Sequence, residues 1–180
     1  MLELPTGTEL HRFYKAAYEP IYFDPSLSGR LNAPDGSYGV LYAAEARSGA
    51  FAETFLREPG RTLLAADFVA ARAYVKLRSS RSLQLIRFAG PGLARLGATA
   101  EIVHGGWPYA APQAWSAALH GHPIAADGIA YYARHDDEEL CYALFDRAQT
   151  AVQEVERDPD LDADWFWQIA APYGVGFSPV

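Results

Sequence analysis

Gly128-Ile129-Ala130-Tyr131-Tyr132-Ala133 and Leu140-Cys141-Tyr142-Ala143-Leu144-Phe145 are two apolar, aromatic-rich runs of strand length, with the acidic stretch Asp136-Asp137-Glu138-Glu139 between them. Runs of this kind read as strands, and the acidic stretch reads as a solvated turn. No helix-length segment separates the two runs, which departs from a regular β-α-β alternation. Elsewhere, too, strands and helices follow one another irregularly. This favours an α+β fold with mixed or antiparallel sheets and surrounding helices over a doubly wound parallel sheet.

Outward from that pair, strands are expected over 72–78 and 82–88, followed by a short helix over 91–96 that Gly97 closes. Pro112 starts another helix carrying Trp115 and Leu119, and Gly121 with Pro123 ends it. A last helix over 162–171 carries Trp165, Phe166 and Ile169. Near the start, 11–22 is aromatic and reads as extended. Asp24-Pro25-Ser26-Leu27-Ser28-Gly29 and Asn32-Ala33-Pro34-Asp35-Gly36 are turns, so Arg30 is framed on both sides. The β-prone run Tyr38-Gly39-Val40-Leu41-Tyr42-Ala43-Ala44 leads to Ser48, which offers an N-cap for a helix running through Leu56. Glu53 falls within that helix, which is expected to end before Pro59-Gly60.

At 180 residues, half of them hydrophobic and 21% charged, the chain matches a single globular domain over 1–180 and leaves little room for a second. Its net charge of -7 repels phosphodiester backbones. The basic cluster from Lys76 to Arg87 alternates with apolar residues and fits the solvated faces of two strands, so no direct nucleic-acid contact is expected. The single cysteine, Cys141, rules out an internal disulfide and, lying in an apolar run, reads as a buried thiol and not a nucleophile. His120-Gly121-His122 reads as a helix C-terminus and not a metal site, since no carboxylate or cysteine set completes it. The chain has no leader pattern and no 18-residue apolar run. It is read as a cytoplasmic protein without a membrane role. Glycine-rich dinucleotide and phosphate loops are absent, so any nucleotide site must be built from side chains.

Three ordered segments resemble the RES domain family. The first is His11-Arg12-Phe13 with Gly29-Arg30-Leu31-Asn32; the second is Leu41-Tyr42-Ala43-Ala44-Glu45 continuing into Ala50-Phe51-Ala52-Glu53. The third runs from Ala126-Asp127-Gly128 through Tyr131-Tyr132-Ala133-Arg134-His135 to Cys141-Tyr142-Ala143-Leu144-Phe145, and Gly174-Val175-Gly176 follows near the end. The resemblance implies a fold akin to ADP-ribosyltransferases and the toxin role in a toxin–antitoxin pair. It implies NAD as substrate and not as cofactor, broken at its nicotinamide–ribose bond by hydrolysis or phosphorolysis, with protein ADP-ribosylation or a weakened NAD- or partner-binding module as alternatives. An antitoxin with a helix-turn-helix domain is implied as partner, while the oligomeric state stays open.

Arg12, Arg30, Tyr42 and Glu53 match positions important to the family's site. Cleaving the glycosidic bond builds positive charge on the ribose carbon, which a carboxylate such as Glu53 stabilises; the bland alternative is a solvated helix residue. The planar guanidinium of Arg30 suits the paired oxygens of a pyrophosphate, and Arg12 is a second candidate or a structural ion-pair residue. Tyr42 is read as stacking on nicotinamide or bonding a ribose hydroxyl, and Phe13 as an apolar wall, with core packing as the alternative for both. Where the family usually has Ser, this chain has Ala133, which lacks the hydroxyl. His135 either lines the cleft or sits at a strand end.

Overall fold

The computed structural model describes residues 1–58, 60 and 62–178. Among them the elements run β1 Leu2–Leu4, β2 Glu9–Lys15, β3 Val40–Ala44, α1 Arg47–Phe55, β4 Leu63–Leu64, α2 Ala66–Ala70, β5 Arg72–Ser79 and β6 Leu83–Arg87. There follow α3 Pro91–Leu96, α4 Glu101–His104, α5 Ala110–His120, β7 Gly128–Ala133, β8 Asp136–Phe145, β9 Val152–Asp158, α6 Asp164–Ala170 and β10 Gly176–Phe177. Eight of the described strands form one sheet in the order β1-β6-β7-β8-β3-β2-β5-β9, and β10 pairs with β4 apart from it. Within the large sheet β6 and β7 run parallel, and the other neighbours are antiparallel. This is an α+β fold with a mixed sheet and surrounding helices.

Side chains alternate along each strand, so the sheet carries a core on each face. Ile129, Tyr131 and Ala133 of β7 join Phe13, Tyr74, Cys141 and Phe145 in one core. There they meet Ala50, Phe51, Ala52 and Phe55 of α1 and Phe166 of α6. Ala130, Tyr142, Leu144, Val75 and Leu77 belong to the second core, with Ala148 and Ala151 of a 3-10 turn. Complete burial of rings such as Phe51 and Phe166 contributes about 1.5–3 kcal/mol apiece. This apolar face fixes α1 against the sheet and so fixes where Glu53 emerges.

The structure departs from the expectations in several places: helix α5 starts at Ala110, two residues before Pro112, and the short elements β1, β4, α2, α4 and β10 were not expected. Asp136-Asp137-Glu138-Glu139 is the first part of β8 and not a turn; the chain reverses at Arg134 and His135. Asp137 and Glu138 are exposed and lie at the register shift of β8, between the pairs Tyr132–Leu140 and Ala133–Asp136. Helix α1 starts at Arg47 after Ala46 with no side-chain cap, so Ser48 lies inside it. The extended stretch at 11–22 ends at Lys15, after which turns follow. Strand β9 is polar and mostly exposed, without the alternation that announces a strand; backbone pairing to β5 defines it, supplemented by the Lys76–Glu156 ion pair at 2.8 Å.

Candidate active site

The loop before β3 is tied down residue by residue. Asn32 donates its amide to the carbonyl of Ser26 at 2.7 Å and to Asp24, while Gln113 of α5 donates to the carbonyls of Leu27 and Gly29 at 2.8 and 3.0 Å. Ser116 donates to the carbonyl of Leu31 at 2.6 Å. Gly29 is needed for close approach: a Cβ there would strike the Asn32 amide and lie 2.8 Å from the Tyr42 hydroxyl. Its flanks are exposed, but Arg30, Leu31, Asn32 and Ala33 are buried, and a buried stretch bonded in this way aims its side chains reproducibly.

What it aims is Arg30, whose side chain is 8% exposed. Its Nη2 donates to Glu53 Oε2 at 3.1 Å and more weakly to Oε1 at 3.5 Å. Glu53, 20% exposed, lies on α1 beside the buried Phe51, Ala52 and Phe55 and faces the β7–β8 turn. There it accepts two further donors, the Tyr131 hydroxyl on Oε2 at 3.2 Å and the Arg134 backbone N–H on Oε1 at 3.1 Å. Burial works against the Arg30 charge, but Tyr131 and Glu53 offset it, and the guanidinium is held above its ordinary value. The pair is therefore a charged, partly buried ion pair supported from three elements.

Helix α4 covers this pair. Arg30 Nη1 donates to the carbonyl of Val103, and Arg134 Nη2 donates to that of Gly105. Four nitrogens nearby are buried without a partner: Arg30 Nε, Arg134 Nε, His104 Nε2 and His135 Nε2. Burial, then the charge of Arg134, pushes the His135 imidazole below its ordinary value, so it is neutral at neutral pH. Unspent polar atoms in a native interior call for an explanation, and a carboxylate, two guanidiniums and two imidazoles brought together can bind an anionic group and stabilise a positive charge that develops beside the carboxylate.

The other expected site residues lie behind this cluster. The Tyr42 hydroxyl is not free for a ribose: it accepts the Leu31 N–H at 2.8 Å and donates to Asn32 Oδ1 at 2.9 Å, and burial raises its pKa. Arg12 Nη1 donates to the Tyr42 carbonyl at 2.7 Å, and burial pulls its guanidinium down to about 10. Phe13 takes the core-packing alternative. Its ring lies 5.2 Å from Phe55, 5.9 Å from Phe166 and 6.1 Å from Trp165. Ala133 is fully buried on β7, on the same face as Tyr131 and directly before Arg134.

Tyr131, Arg134 and His104 escaped assignment from the sequence. Alternation along β7 offered a signal for Tyr131, since it shares a face with position 133. Arg134 engages Glu53 through its backbone, which no side-chain pattern reveals, and His104 sits in a helix of four residues. Of the remaining candidates, Cys141 is buried with its thiol pKa raised by burial, and His120 stacks on Tyr38 at 3.9 Å. Among the described residues no group of three His, Cys, Asp or Glu is placed to hold a metal. No described helix is long and apolar enough to cross a membrane.

No curated protein matches the chain. A solved crystal structure, that of the M. tuberculosis MbcT-MbcA toxin-antitoxin complex, is similar in fold, with a TM-score of 0.71 over 94% of this chain and 92% of that one, at 13% identity. Residues 9–166, which include Arg12, Arg30, Tyr42, Glu53, Tyr131 and Ala133, match the RES domain, and the chain belongs to the RES domain family.

Proposed function

We propose that this protein breaks the nicotinamide–ribose bond of NAD and that Arg30 and Glu53 are the centre of its active site. The observation that carries the reading is the Glu53 carboxylate, aimed by Arg30, Tyr131 and the Arg134 N–H at one place beside unspent guanidinium and imidazole nitrogens. The diphosphate of the dinucleotide takes over the donors that Arg30 and Arg134 now give to the Val103 and Gly105 carbonyls. When the glycosidic bond breaks, its electron pair leaves with neutral nicotinamide, and Glu53 stabilises the cationic ribose carbon. The acceptor adds to that carbon and loses a proton; water gives hydrolysis, phosphate gives phosphorolysis, and a protein side chain gives ADP-ribosylation. Arg12 and Tyr42 serve by holding the loop that bears Arg30, and the whole of 1–180 acts as one domain.

Similarity to a toxin–antitoxin complex supports a toxin role with a cognate antitoxin. In our reading that antitoxin bears a helix-turn-helix domain and makes any DNA contact, which this acidic chain disfavours. The cytoplasm, where NAD is abundant, is the proposed location.

The test is nicotinamide release from NAD by the pure protein, with and without phosphate; label retained on protein reveals transfer. Absence of turnover from both the protein and Ala133→Ser rejects the enzyme reading. Tight NAD binding with no cleavage, unaltered by Ala133→Ser, supports the second reading, a non-catalytic NAD- or partner-binding module, which the missing hydroxyl at Ala133 favours.

A further inference from the structure

We propose that Tyr131 is the positioning residue of the glycosidic cleavage: its phenol holds Glu53 in place when substrate draws Arg30 away. The inference rests on the reading of Glu53 as the carboxylate that stabilises the ribose cation. It starts from the division of labour around that carboxylate. Oε2 accepts Arg30 Nη2 at 3.1 Å and the Tyr131 hydroxyl at 3.2 Å; Oε1 accepts the Arg134 N–H at 3.1 Å. Arg30 has a second task in any complex with an anionic substrate, and its guanidinium already reaches the Val103 carbonyl. A donor with two tasks cannot also define where the carboxylate sits.

Tyr131 has no such conflict. Its side chain is fully buried on β7, a central strand paired on both sides, so neither ring nor backbone has room to follow a ligand. Burial, then the charge of Glu53, raises its pKa far above the ordinary phenol value, and it remains a neutral donor throughout the working range. The Arg30 guanidinium lies 5.6 Å from the Tyr131 ring centroid, which ties the cation, the phenol and the carboxylate into one unit. Ala133, on the same face of β7, brings no hydroxyl. Tyr131 therefore supplies the one side-chain hydroxyl that reaches Glu53 among the described residues. With it, the carboxylate stays fixed by β7 and the following turn even if the Arg30 contact is lost. Without it, rotation about the terminal bond of Glu53 carries Oε2 away from the ribose carbon.

The experiment compares initial rates of nicotinamide release over a range of NAD concentrations for the unmodified protein, Ala133→Ser, Tyr131→Phe, Glu53→Gln and the double variant Tyr131→Phe/Glu53→Gln. Rates are normalised to the folded fraction from denaturant unfolding. Tyr131→Phe retains the buried ring. It is expected to lower kcat by about ten-fold or more while KM for NAD changes by less than about two-fold. On the Glu53→Gln background the same substitution is expected to produce no further loss, because the phenol acts through the carboxylate. A purely structural tyrosine would depress both backgrounds alike. Equal losses in the two backgrounds, or unchanged kcat in Tyr131→Phe, overturn the proposal while leaving NAD cleavage intact. No release from the unmodified protein or from Ala133→Ser overturns the cleavage reading itself, and the positioning role with it.

Discussion

The Tyr42 hydroxyl accepts the Leu31 N–H at 2.8 Å and donates to Asn32 at 2.9 Å, so a side chain of β3 clamps the residues that follow Arg30. Arg12 donates to the carbonyl of the same tyrosine from β2, where β2 and β3 share a single register pair, His11 with Ala44. Strand, loop, Arg30 and Glu53 thus form one connected chain of contacts. Two of the residues expected to touch substrate instead orient the one that does in our reading.

Removing the Tyr42 hydroxyl tests that chain. In Tyr42→Phe the Leu31 N–H loses its acceptor and the Asn32 amide oxygen its donor, at two residues that are fully buried. A loss of about 1–3 kcal/mol in unfolding free energy is expected from urea denaturation. NAD turnover should fall as well, through a poorly held Arg30. An unchanged denaturation midpoint would reject the clamp.

Gly29 makes the same point from the other side of the clamp. A methyl group in Gly29→Ala meets the Asn32 side chain and the Tyr42 hydroxyl, neither of which can withdraw without breaking its hydrogen bond. Overpacking of this kind costs about 1–3 kcal/mol. Combining it with Tyr42→Phe should give less than the sum of the two losses, since both act on one contact; full additivity in a denaturant series would disprove the shared mechanism.

Arg30 and Glu53 should both carry stability, and Glu53 chemistry as well. Glu53→Gln keeps the shape, but it leaves the buried Arg30 without its anion and offers one acceptor oxygen to three donors, so about 1–3 kcal/mol of stability is lost, while nicotinamide release per folded molecule drops about 100-fold or more. Arg30→Met leaves Glu53, which is 20% exposed, without its cation and the Val103 carbonyl without its donor. Breaking a buried pair costs about 3–5 kcal/mol, and water access to Glu53 places this case at or below the lower end. Turnover in Glu53→Gln equal to that of the parent would remove Glu53 from the mechanism.

The extent to which this site was legible in the sequence follows from how each residue is held. Arg30 and Glu53 were picked out by the resemblance to the RES family; local chain chemistry added only that turns frame Arg30 and that Glu53 falls within a helix. Strands β7 and the apolar half of β8 were equally plain. The acidic half of β8 was not, because Asp137 and Glu138 can be solvated in a turn or on a strand end, and what decides is the long-range pairing of Asp136 with Ala133 across a register shift that skips them. Strand β9 was invisible for the same reason. Tyr42 and Phe13 show the limit of matching positions: a match names the position, but whether a ring faces ligand or core depends on which face of a strand meets α1. The backbone N–H of Arg134 carries no side-chain signature at all.

Acid should destabilise the fold before its carboxylates titrate. His11, His120 and His135 all have pKa values lowered in the folded state, each by burial first and then by a neighbouring arginine, Arg47, Arg147 and Arg134 respectively. Below the unfolded histidine value of about 6.5 the unfolded chain binds protons that the native one refuses. The stability these neutral rings sustain is therefore complete above that pH and is lost as pH falls through the depressed folded values. Thermal unfolding followed from pH 7.5 to about 5 should show a flat midpoint that begins to descend near 6.5. His135→Gln removes one of the three groups and should flatten the descent without abolishing it, since His11 and His120 remain. A midpoint that rises on acidification through this window would mean that the folded protein accepts those protons, and that the arginines beside the histidines are not where their charge is felt.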